Sequence, residues 1–179
     1  MDVLPIEVLF LQKFFMRILL VCVVSILILF SSCLKKDSGC SYSNDNSVAP
    51  VEEQQEVKQY LDSSGITANL DWRGFYYSVV ESGTGDTAKP CSQITVSYTG
   101  WLTNGKIFDQ QSNAVFTSLG SLIDGWRQGI PKVKKGGRIK LYIPPSLGYG
   151  SRSLTDSFGN QVLPSNSIII FDITLINVQ

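Results

Sequence analysis

Apolar residues recur at every second position in four stretches of the chain and at helical spacing in two others, and this division predicts the elements. Residues 74–82 carry Phe75, Tyr77 and Val79 at alternate places, which predicts a first or edge strand ended by Gly83-Thr84-Gly85-Asp86. Residues 92–102 predict a second strand, in which Val96, Tyr98 and the Gly100 break alternate with Thr95, Ser97 and Thr99. Asn104-Gly105 supplies a hairpin turn, since Asn and Gly tolerate the positive φ that both central positions of a type I′ turn need. The chain then returns through Ile107, Phe108 and Asp109, and the polar residues 110–115 predict a loop. Gly136-Gly137 leads into a strand over 138–143, with Ile139, Leu141 and Ile143 inward, stopped by Pro144-Pro145. The last strand, 167–178, is apolar at Ile169, Phe171, Ile173 and Leu175 and is long enough to lie centrally.

The helical spacings are fewer. Val57, Tyr60 and Leu61 predict a short amphipathic helix over 51–63, with Glu52, Glu53 and Glu56 near its N-terminus and Gly65 past its end. It either packs on its own domain or joins two copies into a homodimer. Ile123, Trp126 and Ile130 predict a helix over 122–130, limited by Pro131. The fold class is α+β: a bent antiparallel β-sheet wrapped around one short α-helix, preceded by a signal segment, a linker and a short helix.

Ahead of these elements, Lys13 and Arg17 precede an uncharged run over 18–30. That run matches a signal-peptide core and is short of the ~20 residues that span a bilayer. Phe30-Ser31-Ser32-Cys33 resembles a bacterial lipobox, which implies lipidation at Cys33; an ordinary secretory signal or a short membrane anchor is the alternative. The segments are residues 1–33 as signal with lipobox, 34–50 as flexible linker, 51–71 as helical extension and 72–179 as the folded domain. A lipid-anchored protein of the cell envelope, facing the periplasm or exterior, is the expected localisation.

Lys plus Arg equals Asp plus Glu at 15 each, and this balance excludes a general nucleic-acid partner. Histidine is absent, which removes serine–histidine and cysteine–histidine catalysis. Cys22, Cys33, Cys40 and Cys91 lack the spacing and the histidine partners of a zinc site, so no metal and no cofactor are expected. With Cys22 in the signal and Cys33 lipidated, Cys40 and Cys91 are left as a pair whose disulfide stays open.

Tyr98-Thr99-Gly100, Phe108-Asp109, Leu122-Ile123-Asp124-Gly125-Trp126, Lys135-Gly136-Gly137-Arg138, Leu147-Gly148-Tyr149-Gly150 and Ile170-Phe171-Asp172 occur in this order. Together they resemble the FKBP-type peptidyl-prolyl cis-trans isomerases over residues 72–179. The resemblance implies a shallow aromatic pocket for a prolyl ring. Trp126 would be its floor and Tyr98, Phe108 and Phe171 its walls, with Leu122, Val162 and Leu163 adding apolar contact. Asp109 would sit at the rim beside Tyr98, Ile123 would offer its backbone N–H, and Tyr149 its hydroxyl. Taken alone, Asp109 reads as a solvated strand end. The implied activity is isomerisation of Xaa-Pro bonds in folding envelope or exported proteins, with proline-containing polypeptides as partners. A non-catalytic peptide-binding chaperone or an envelope scaffold is the alternative.

Overall fold

In the computed structural model, which describes Tyr42 and residues 46–179, the chain enters its sheet through a helix. The helix α1, Val51–Ser63, follows Pro50, whose fixed φ suits the entry to a helix. No side chain caps it, but Glu52 and Glu53 lie in its first turn, where carboxylates offset the positive end of the helix dipole. Gly65, at φ +66°, reverses the chain just past its end.

Six strands form one antiparallel sheet in the order β1-β2-β5-β8-β3-β4. They are β1 (Asn69–Leu70), β2 (Tyr76–Glu81), β3 (Ile94–Leu102), β4 (Ile107–Phe116), β5 (Arg138–Ile143) and β8 (Ile169–Val178). The strand predicted over 167–178 is central, flanked by β5 and β3. A separate hairpin, β6 (Leu154–Thr155) and β7 (Gln161–Leu163), rises between Tyr149 and β8. The predicted helix over 122–130 is α2, Asp124–Gly129, continued by a 3₁₀ turn at Ile130–Lys132.

Register separates the two faces of the sheet. Tyr77, Leu141, Phe171, Gly100 and Asp109 stand in line across β2, β5, β8, β3 and β4. This row and its neighbours carry the main core, with Ile94, Val96, Ile139, Ile143, Ile169, Ile173 and Leu175 buried beneath α2. The adjacent row, Tyr76, Tyr142, Ile170 and Trp101, points the other way. There Val57 and Leu61 of α1 pack on Tyr76, Tyr142 and Ile170 in a second cluster. The apolar stripe of α1 is thus consumed within its own chain.

Two expectations fail. The chain does reverse at Asn104-Gly105, but only Gly105, at φ +82°, has positive φ, and its N–H donates to the Leu102 carbonyl at 2.9 Å, so the turn is not type I′. Residues 110–115 are not a loop: β4 continues to Phe116, paired residue by residue with Ile94–Thr99. Gln110, Gln111, Ser112 and Asn113 are polar and exposed because β4 is an edge strand, where backbone bonds to one neighbour hold the ladder and the side chains face water. An extra residue on β4 between Ala114 and Gln111, with Asn113 at φ +56°, marks a bulge.

The end of the polar stretch 34–50 is held against the domain. Ala49 is buried, and its N–H donates to the Arg73 carbonyl at 2.8 Å. Tyr42 packs where a Cβ on Gly120 would stand 2.8 Å from its ring, and the Arg127 guanidinium lies 5.5 Å from the ring centre. Cys91 is disulfide-bonded. The uncharged run 18–30, the lipobox and the cysteines other than Cys91 lie outside the described residues.

Since Leu61 is 3% exposed beneath α1, Leu61→Ala is expected to lower unfolding free energy by about 2–4 kcal/mol. Urea denaturation checks this. A change under about 0.5 kcal/mol would mean that α1 is not part of the cooperative unit.

Candidate active site

A cavity of about 310 Å³ opens between β3, β4, β8 and the segment that begins α2. Its floor is Trp126, only 4% exposed. The rings of Tyr98 and Phe171 each meet the indole at 5.0 Å between centroids, at interplanar angles of 82° and 85°, and Phe116 meets it at 5.7 Å and 83°. Edge-to-face contacts of this kind set the positive edge of one ring against the negative face of another. They hold a shallow apolar box open without filling it.

Local geometry explains how so short a helix reaches the sheet. A Cβ on Gly125 would stand 2.5 Å from the Ile143 side chain, and one on Gly129 would stand 2.6 Å from Leu141. Both positions need glycine for close approach. Gly100 acts likewise within β3: a Cβ there would fall 2.7 Å from the Phe171 ring and 2.9 Å from Phe108. The gap it leaves lets those rings meet at 5.5 Å.

The polar groups sit at the rim. The Tyr98 hydroxyl donates to Asp109 Oδ2 at 2.8 Å. Burial first, and then this hydrogen bond, hold the Tyr98 hydroxyl well above the ordinary tyrosine range. Asp109 reaches the cavity because β4 slips against β3 here: Ile107 pairs with Trp101 and Asp109 with Gly100, so Phe108 is an extra residue without a cross-strand partner. Such a bulge re-aims side chains. It lets the buried Phe108 pack on Phe171 and Tyr149 while its neighbour Asp109 lines the cavity.

Two donors face the cavity without a protein acceptor among the described residues. Ile123 immediately precedes α2, and its carbonyl accepts from Trp126 N and Arg127 N, but its own N–H makes no such bond. Tyr149, beside the 3₁₀ turn Pro145–Leu147, presents a hydroxyl whose pKa is raised, chiefly by burial, with Asp109 adding to the shift and Arg152 opposing it.

Of the residues singled out from sequence, Tyr98, Asp109, Leu122, Ile123, Trp126, Tyr149 and Phe171 line the cavity, and Phe108 supports it from behind. Val162 and Leu163 do not reach it. Leu163 pairs with Leu154 across the hairpin and is 1% exposed in the main core, where Val162 packs beside it. Phe116, Ser121 and Arg152 also line the cavity and were not among the predicted site residues. The signal for Phe116 is weak, since it ends a strand whose polar residues read as loop.

The FKBP-type peptidyl-prolyl cis-trans isomerase family matches residues 85–176. The Escherichia coli K12 FKBP-type isomerase FkpA is 38% identical over 153 residues, 84% of this chain and 54% of that protein. A Schizosaccharomyces pombe peptidyl-prolyl cis-trans isomerase is 41% identical over 112 residues, 59% of this chain and 96% of that one. Among solved structures, FkpA from Escherichia coli aligns with a TM-score of 0.60 at 34% identity, over 72% of this chain and 60% of that one. AtFKBP13 aligns with a TM-score of 0.57 at 31% identity, over 63% and 99%. The chain spans about half the length of the FkpA sequences it matches. Since the family match takes in half of the residues, including Trp126 and every other residue that lines the cavity, this chain belongs to the FKBP-type peptidyl-prolyl cis-trans isomerase family.

Proposed function

We propose that this protein isomerises Xaa-Pro bonds of polypeptides folding in the cell envelope. The observation that carries this reading is the Trp126 floor, boxed by Tyr98, Phe116 and Phe171, with two unbonded donors at its edge. Rotation about a peptide bond meets a barrier of ~18–20 kcal/mol from amide resonance. No covalent bond is made or broken, so neither nucleophile nor proton shuttle is required. A planar amide carries charge on oxygen that an apolar box solvates poorly, whereas the twisted form resembles an amine and a ketone. Binding the twisted form better than the planar one lowers the barrier. The Ile123 N–H and Tyr149 hydroxyl would hold the substrate backbone in register while the four rings bury the prolyl side chain. Asp109 would orient Tyr98 and set the polarity at the rim.

The disulfide at Cys91 also supports an oxidising compartment, because such bonds are rare in reducing ones. We assign Cys33 as the lipid attachment site, from Lys13 and Arg17, the uncharged run and Ser31-Ser32-Cys33. Clients would then be exported proteins reached from a membrane anchor.

Three outcomes are expected. With no histidine in the chain and both cavity tyrosines raised above their ordinary pKa, kcat/KM on a short proline peptide should be flat between about pH 6 and 8 and fall only above about pH 10. A bell-shaped profile in the lower window would replace this mechanism with acid–base catalysis. Gly100→Ala, which drives a methyl into Phe171 and Phe108, should reduce kcat/KM by about ten- to a hundredfold. Unchanged turnover would show that the ring packing does not maintain the pocket. Cys33→Ser should shift the protein from membrane to soluble fractions, and full retention in membranes would favour an uncleaved hydrophobic anchor.

A further inference from the structure

Arg152 stands at the root of the β6–β7 hairpin and is the one cation among the residues that line the cavity. Its Nε donates to the Tyr149 carbonyl at 3.4 Å, and its guanidinium lies 5.9 Å from the centre of the Tyr149 ring. These contacts place the charge at the mouth. Several other cations have carboxylate partners: Arg138 and Lys140 on Asp172, Lys132 on Asp71, Arg127 on Asp124, and Lys58 on Asp62. Among the described residues Arg152 has none. Among the described residues that line this cavity, Asp109 carries the one carboxylate, and one of its oxygens already accepts the Tyr98 hydroxyl.

We propose that Arg152 selects clients, favouring prolines that have an aspartate or glutamate beside them in sequence. The inference rests on the isomerase reading and names the substrate class for the same site. A guanidinium presents a planar fork of donors that fits a carboxylate in two-point fashion, and its own carboxylate partner is missing. The residue is exposed, so solvent screening limits the preference to about two- to fivefold. A cation that merely covers the Tyr149 ring would stabilise the turn equally for every substrate. Discrimination by client charge is what separates the two roles.

The test uses two sets of short proline peptides, with Glu, Ala or Lys placed immediately before the proline in one and immediately after it in the other. For the unmodified protein the ratio of kcat/KM for Glu over Lys should be about two to five in at least one set at low salt. It should approach one at about 0.5 M salt, where the Debye length is only a few ångströms. Arg152→Glu should invert that ratio, and Arg152→Lys should keep its direction. A ratio near one in both sets for the unmodified protein, or the same ratio in Arg152→Glu, overturns the proposal. The salt response of the unmodified protein decides the matter even if a variant fails to fold. Turnover of the Ala peptides stands apart from these ratios: if it persists while the ratios stay at one, only the selectivity falls. No turnover on any peptide overturns the isomerase reading and the selectivity with it.

Discussion

The approach of α2 to the sheet is the contact on which the rest of the structure depends. Six residues of helix must cover the concave face, and they do so because Gly125 and Gly129 leave nothing between the helix backbone and the side chains of Ile143 and Leu141. A larger residue at either place would lift the helix, and overpacking of this kind costs about 1–3 kcal/mol. Lifting it would also draw Trp126 away from Tyr98, Phe116 and Phe171. Core packing and pocket geometry are therefore one constraint. The floor of the cavity is a core residue with one face left uncovered.

The ends of α2 are tied to distant parts of the chain. Lys132, in the 3₁₀ turn that continues the helix, bonds Asp71 at 2.7 Å and lies 4.3 Å from the centre of the Tyr77 ring. Asp71 is buried and also accepts from the Arg73 N–H at 2.9 Å. A carboxylate shielded from water needs such partners, and here they fasten the segment between β1 and β2 to the helix terminus. On the opposite face α1 covers Tyr76, Tyr142 and Ile170. The residues before the isomerase-like region thus belong to the packed structure. Glu53 extends this by accepting the Ser146 N–H at 2.9 Å, at the turn that leads to Tyr149.

One of the sheet's register slips lies at the cavity. A regular hairpin from Asn104-Gly105 would place Phe108 and Asp109 on opposite faces, since side chains alternate along a strand. The slip at Phe108 breaks the alternation and brings both to bear on the same site, one packed behind the wall and one at its rim. The hydroxyl of Tyr98 then meets Asp109 from the neighbouring strand. Beyond Tyr149 the hairpin turn is held by Asp156, whose carboxylate accepts from the backbone of Phe158 and Asn160 and from the Asn160 side chain. These bonds hold its pKa below the ordinary aspartate value and give the loop beside the cavity a defined shape.

The alternation in β3 and the helical spacing in α1 were readable from the chain because each reports a local periodicity imposed by burial on one face. β2, β5 and β8 were found from alternate apolar positions, although α1 also buries Tyr76, Tyr142 and Ile170 on their second face and Val79 is exposed. Asn104-Gly105 marked where the chain reverses, through turn chemistry and not periodicity. The aromatic set around Trp126 was readable through motif order. Other features had no local signal. β4 extends through polar residues because its ladder is held by the backbone of β3, which a hydrophobic pattern does not register. Phe116 joins the box, and Val162 and Leu163 stay out of it, through register and hairpin geometry set by neighbouring strands. Periodicity reports which face a residue turns to the core. Which residues then converge on one cavity depends on slips in register and on close helix–sheet contact, and these exist only once the strands are assembled.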